Sequence, residues 1–276
     1  MDRSTAQLPL TYANVLSAGR LSMGLLATYA LSMPAYALVR LSGDEEALSI
    51  STAFTALLLF AFSTAHATQT RGALRASQML AVAFAIALTM EYLGSKHGLI
   101  FGAYRYTELL GPKVLGQVPL IVPLAWFMML YPSWAVAGTL TSSPLSRTLL
   151  AAGAMTAWDL SLDPRMVADG AWVWEDPGAL HYFGIPLSNF VGWFITAWLI
   201  YLAWLTIDRA PQPTHPSAAA LPVLAYAIVW VGESVANALF WGGPTIAVCV
   251  FLAMGLFAVP ALLRLRRSLL LTPATG

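Results

Sequence analysis

The stretch Leu187–Ile207, LSNFVGWFITAWLIYLAWLTI, contains no charged residue from end to end. A helix needs roughly 20 such residues to cross ~30 Å of hydrocarbon. Seven more stretches read alike: Leu21–Val39, Leu48–Ala67, Ala76–Leu93, Val118–Leu140, Thr148–Leu162, Ala219–Trp241 and Pro244–Leu263. Thr148–Leu162 is short for a crossing, so it tilts, lies partly enclosed by protein, or begins earlier. The expected fold class is all-α: a polytopic transmembrane helix bundle of about eight spans, or seven if the short one does not cross. It forms a single transmembrane domain over 1–276.

Composition agrees. Of 276 residues, 58% are hydrophobic and 10% are charged, with a mean hydropathy of +0.70. A soluble domain carries about 25% charged residues. The net charge of +1 comes with no basic stripe, phosphate loop or finger spacing, which excludes nucleic acid as a partner. Cys249 is alone, so neither an internal disulfide nor a cysteine metal cluster is expected. Met1–Arg20 lacks the compact apolar run of a cleavable signal peptide. No internal repeat of the transporter kind stands out. Pro34, Pro123, Pro132 and Pro260 fall inside spans and predict kinks. Thr206–Ala220 reads as a polar linker, and Gly242-Gly243-Pro244 as a tight turn.

With the N-terminus in the cytoplasm and eight spans, nine of the 14 arginines and lysines lie on the inner side. Arg40, Lys96, Arg105, Lys113 and Arg165 lie on the outer. That bias favours two cytoplasmic termini. The expected location is a bacterial cytoplasmic membrane.

Glu91, Asp159 and Glu233 fall within spans, and Asp163 at a span end. A carboxylate at the bilayer centre is unfavourable by ~2.5–3.5 kcal/mol, so such groups face the bundle interior and are usually functional. Asp159 and Asp163 are four apart and share a helix face, as do Glu233 and Asn237. Alternating helix direction brings all of these, with Asn189, to one side of the membrane. The two longest connections, Gly94–Gln117 and Asp163–Pro186, lie on that side too, and both are rich in glycine, aromatics and charge. The histidines, His66, His97, His181 and His215, show no paired ligand spacing, and no metal site is expected.

Three stretches resemble a known family. They are EYLGSKHGLIFGAYRYTELLGPKVLGQVPLIVPLAW (Glu91–Trp126), WDLSLDPRMVADGAWVWED (Trp158–Asp176) and YFGIPLSNFVGWF (Tyr182–Phe194). They are similar to the CruF-type carotenoid 1,2-hydratases, membrane proteins of carotenoid biosynthesis. The resemblance covers about Glu91 to Trp198, while the flanking helices share only hydropathy. It implies a hydro-lyase without a cofactor that adds water to the terminal 1,2 double bond of a ψ-end group. Substrates would be acyclic or monocyclic polyenes, lycopene-like or γ-carotene-like. Partners would be a carotenoid from the bilayer, water and other membrane enzymes of the pathway.

The residues suit that chemistry. Hydrating a trisubstituted alkene needs a proton on C2, a tertiary cation at C1, and a water whose proton a base accepts. A carboxylic acid among apolar helices can hold its proton at neutral pH and serve as general acid. Asp159 or Asp163 is the expected acid, and Glu91 or Glu233 the expected base. Trp158, Tyr92, Trp172 and Trp174 offer faces to a cation, and Asn189, Asn237 and Tyr104 could position water. Arg165 could instead hold Asp163 ionised. Two rivals stand beside this reading. One is a prenyltransferase-type enzyme using the Asp159–Asp163 pair with magnesium. The other is a non-catalytic carotenoid-binding or transport protein.

Overall fold

The computed structural model describes residues 12–208, 216–241 and 243–271. Residues 209–215 of the Thr206–Ala220 linker, including His215, lie outside them, as do Gly242, the first eleven residues and the last five. The described residues form eight helices: α1 (Tyr12–Ser42), α2 (Glu45–Arg71), α3 (Ala73–His97), α4 (Ile121–Leu140), α5 (Pro144–Ala168), α6 (Leu187–Ile207), α7 (Pro216–Leu239) and α8 (Pro244–Leu271). Seven of them are long and apolar enough to cross a membrane. The protein is an integral membrane helix bundle.

The exception, α5, explains itself by position. It starts earlier and ends later than Thr148–Leu162, and it packs against α4, α6 and α8. Its neighbours are protein, so its outward face does not have to match lipid, and it can carry Arg147, Asp159, Ser161 and Asp163 buried. Local signals set its start: Ser143 accepts from Ser146 N at 3.4 Å and Pro144 occupies the first turn. Asp44 caps α2 in the same way, accepting from Ala47 N at 2.9 Å. Helices α1, α4 and α8 continue through Pro34, Pro132 and Pro260. Pro123 sits in the first turn of α4, where a missing N–H breaks no helical bond, so no kink is required there.

Six short strands lie in the two long connections: β1 (Tyr104–Tyr106), β2 (Lys113–Val114), β3 (Val118–Pro119), β4 (Trp172–Trp174), β5 (His181–Tyr182) and β6 (Ile185–Pro186). Strands β2–β3 and β5–β6 are hairpins. Strands β1 and β4 join the two connections, with Tyr104 opposite Trp174 and Tyr106 opposite Trp172. Alternation sends Tyr104 and Tyr106 inward and leaves Arg105 exposed. Phe101 wedges between α3 and α6, against Gly94 and Gly192, where a Cβ would come within 2.5 and 2.6 Å of its ring.

A short internal repeat, not of the transporter kind, underlies this layout. GAYRY (102–106) parallels GAWVW (170–174), and VPLIVPLAWF (118–127) parallels IPLSNFVGWF (185–194). The spacing of the first pair also matches Glu91 to Asp159. Each unit runs helix, strand, hairpin, helix. The β1–β4 pairing is antiparallel about Arg105 and Val173, and the matched Trp126 and Trp193 stack with centroids 4.3 Å apart. Both are what a local two-fold relation produces.

Candidate functional site

A cavity of about 400 Å³ opens between the helices. Its wall takes the C-terminal halves of α1, α3, α5 and α7, the N-terminal parts of α2, α4 and α6, and the β1 and β4 strands. That distribution is the one alternating helices give. Glu91, Asp163, Glu233, Asn189 and Arg165 line this one space. Every one of the four carboxylates singled out in the sequence is buried.

Glu91, on α3, is held by three donors. Tyr104 Oη and Tyr106 Oη both donate to Oε2, the latter at 2.6 Å, and Trp126 Nε1 donates to Oε1 at 2.8 Å. A carboxylate accepts such bonds best when ionised. Burial, then the charge of Glu91, pushes the Tyr104 and Tyr106 phenols well above the ordinary tyrosine range, so both stay protonated donors at neutral pH.

Asp159 and Asp163 stand in a different environment. Their carboxyl groups lie within hydrogen-bonding reach of one another. The Asn189 amide Nδ2 donates to both, at 3.0 Å to Asp159 Oδ2 and also to Asp163 Oδ2. Asp159 Oδ1 is buried with no donor. Two enclosed carboxyls with one amide between them are compatible when they share a proton. Asp163 faces the cavity and Asp159 sits behind it, outside the lining.

Arg165 is not the partner of Asp163. Residues two apart on a helix point apart, and the Arg165 guanidinium meets Glu233 Oε1 at 3.0 Å. Ser161 Oγ donates to Glu233 Oε2 at 2.8 Å, and Asn237 Nδ2 donates to Ser161 Oγ at 2.8 Å. Glu233 is thus neutralised and bound on both oxygens, and Asn237 serves this network rather than the cavity. Tyr92 also lies outside the cavity: one residue on from Glu91 it is turned ~100° around α3, where Lys96 Nζ donates to it at 2.5 Å. His97 stacks edge-on to Tyr92, and His181 lies exposed in the β5–β6 hairpin. Among the described residues, no group of three or more His, Cys, Asp and Glu is arranged to hold a metal ion.

Aromatic rings and aliphatic side chains make up the rest of the wall. Trp158, Tyr104, Trp172 and Trp174 line it as the sequence suggested. Tyr106, Trp126 and Trp193 join them, none of which stands out in the sequence. Trp158 packs edge-on to Trp193 at 5.9 Å, and Tyr104 lies 4.7 Å from Trp174. The alternation in YRY and WVW was the signal that could have found Tyr106, since a strand puts both aromatics of each triplet on one side.

Comparison with known proteins fits this picture. One relative, a protein named bisanhydrobacterioruberin hydratase from Haloarcula japonica, is 30% identical over 135 residues, covering 45% of this chain and 45% of the relative. The match therefore spans less than half of the relative's length. No solved structure matches the chain. A family model described as carotenoid biosynthesis protein matches residues 50–260, most of the chain and all the residues of the cavity's acidic wall. The chain belongs to the carotenoid biosynthesis protein family.

Proposed function

We propose that this protein is a carotenoid 1,2-hydratase that adds water across the terminal double bond of a ψ-end group and needs no cofactor. One observation carries the reading. An amide-bridged aspartate pair, Asp159–Asp163, reaches the same cavity through Asp163 as a triply donated carboxylate, Glu91. The two environments differ in the sense that separates an acid from a base.

In this scheme the Asp159–Asp163 pair gives its proton to C2, and the π electrons form the new C–H bond. The tertiary cation left at C1 is faced by the rings of Trp158 and Trp172 and by the charge of Glu91. Water attacks C1, and its proton passes through the Tyr104 hydroxyl to Glu91. Transfer of that proton back to the aspartate pair restores the site, with one water consumed. Asn189 holds the pair in register. Glu233 with Arg165 braces α5 against α7, and neither moves a proton. The substrate comes from the bilayer.

The magnesium-dependent prenyltransferase reading has less support, because the aspartate pair is bridged by an amide and no third acidic ligand joins it in a metal-holding arrangement among the described residues. The test is to supply an acyclic carotenoid to the protein in liposomes and seek a product one water heavier. Asp163→Asn should insert and fold yet form product roughly a thousandfold more slowly. An undiminished yield from both Asp163→Asn and Asp159→Asn would overturn the scheme. No product from the unaltered protein would favour a binding or transport role.

A further inference from the structure

Part of the cavity wall is also the outer surface of the bundle. Pro34 and Leu38, one turn apart on α1, and Val235 on α7 all line the cavity. All three are exposed, Leu38 at 67% and Val235 at 44%. The window they frame has two closed ends. Toward the bundle centre Met33 packs onto Gly232, leaving no room there even for a Cβ. Toward the connections, Trp241 packs edge-on to Tyr36 at 6.1 Å and lies 5.0 Å from the Arg165 guanidinium. Helix α1 packs mainly along α2 and touches α7 much less. Pro34 also removes one helical hydrogen bond from α1 at the level of the window.

Size gives the window a purpose. A carotenoid polyene is about as long as the ~30 Å hydrocarbon layer is thick. A cavity of about 400 Å³ holds one end of such a chain and not the remainder. The remainder must leave through an apolar opening, and Leu38, Val235 and Pro34 supply one facing lipid. Resting on the hydratase reading for the identity of the substrate, we infer that the α1–α7 window is the port through which the polyene slides end-first from the bilayer. Its tail stays in lipid between Leu38 and Val235 while its end reaches Asp163 and Glu91.

The test uses Leu38→Trp and Val235→Trp to narrow the port. Leu256→Trp is the control, at a 73% exposed position on α8 that does not line the cavity. Each protein is placed in phosphatidylcholine liposomes with an acyclic carotenoid. Two quantities are followed: hydration kinetics, and polyene absorbance retained by the purified protein. The narrowed variants should lose about tenfold in kcat/KM with kcat within about twofold, because capture slows and chemistry does not; the control should match the unaltered protein. Unchanged kcat/KM in both narrowed variants, or an equal loss in the control, overturns the port. Leu38→Ala covers the case in which the tryptophan variants do not fold. It widens the window and should capture polyene at least as fast as the unaltered protein, and a tenfold slower capture overturns the proposal. If the unaltered protein retains polyene yet hydrates none, the hydratase reading falls. The rate of polyene retention then tests the port alone: slower in the narrowed variants supports it, unchanged overturns it.

Discussion

At the end of the bundle opposite the cavity, Arg71 of α2 meets Asp208, at the end of α6, at 2.8 Å. Trp134 Nε1 donates to the other oxygen of Asp208 at 3.2 Å. Arg147 lies 3.6 Å over the Trp134 ring and donates twice to its carbonyl, while His66 Nδ1 bonds Tyr131 Oη at 2.8 Å. At the cavity end, Glu91, Asp163 and Glu233 are just as buried. The two ends differ in what lies beside the charge. Arg71, Asp208, Arg147 and His66 border none of the cavity, whereas Glu91 and Asp163 face it. Burial of an ionisable group in a membrane bundle therefore marks a site only when open space comes with it.

Substitutions at the two ends should separate accordingly. Asp163→Asn removes the proton donor that faces the cavity. Hydration should fall roughly a thousandfold, within the range for losing a general acid, with little change in the melting temperature of the solubilised protein. Asp208→Asn should do the opposite. Removing the carboxylate charge facing Arg71 breaks a buried pair, which destabilises by about 3 kcal/mol, and kcat of the folded fraction should stay within about twofold. A large loss of turnover in Asp208→Asn at unchanged stability would erase the distinction between the ends. Tyr106→Phe lies between these and the surface changes. It takes one donor from Glu91, worth ~1.5 kcal/mol for a bond to a charged group, so kcat should fall about tenfold.

Much of this was legible in the sequence, and the failures have physical causes. Every apolar stretch became a helix, because a run that must satisfy its backbone in lipid has few alternatives. Shared depth in the membrane brings Glu91, Asp163, Asn189 and Glu233 into one space because helix direction alternates whatever the loops do. Direction around a helix was not legible. Nothing in the order of residues says that Arg165 turns toward α7 while Asp163 turns toward Asn189. The charge cluster at Asp208 was missed because its members come from the ends of α2, α5 and α6, far apart in sequence and each ordinary alone. The repeat was visible in GAYRY and GAWVW, yet it is shorter than the repeats that organise transporters and does not span the chain.

The smallest effect sharpens the comparison within a single helix. Tyr92 follows Glu91 directly, carries a ring of the kind that could face a cation, and lies in the same motif. Its hydroxyl nonetheless meets Lys96, an exposed residue, and its ring packs against His97. An exposed contact of this sort contributes well under ~1 kcal/mol. Tyr92→Phe should therefore change kcat/KM by less than about twofold and leave the melting temperature within error. Tyr104→Phe, which removes a donor from the same Glu91 oxygen that Tyr106 serves and also the hydroxyl that relays the water's proton, should cost about a hundredfold in kcat. Equal losses in the two variants would mean that α3 presents a wider face to the substrate than Glu91 alone. The contrast between one wall of α3 and its neighbour, ~100° away, would then have to be abandoned.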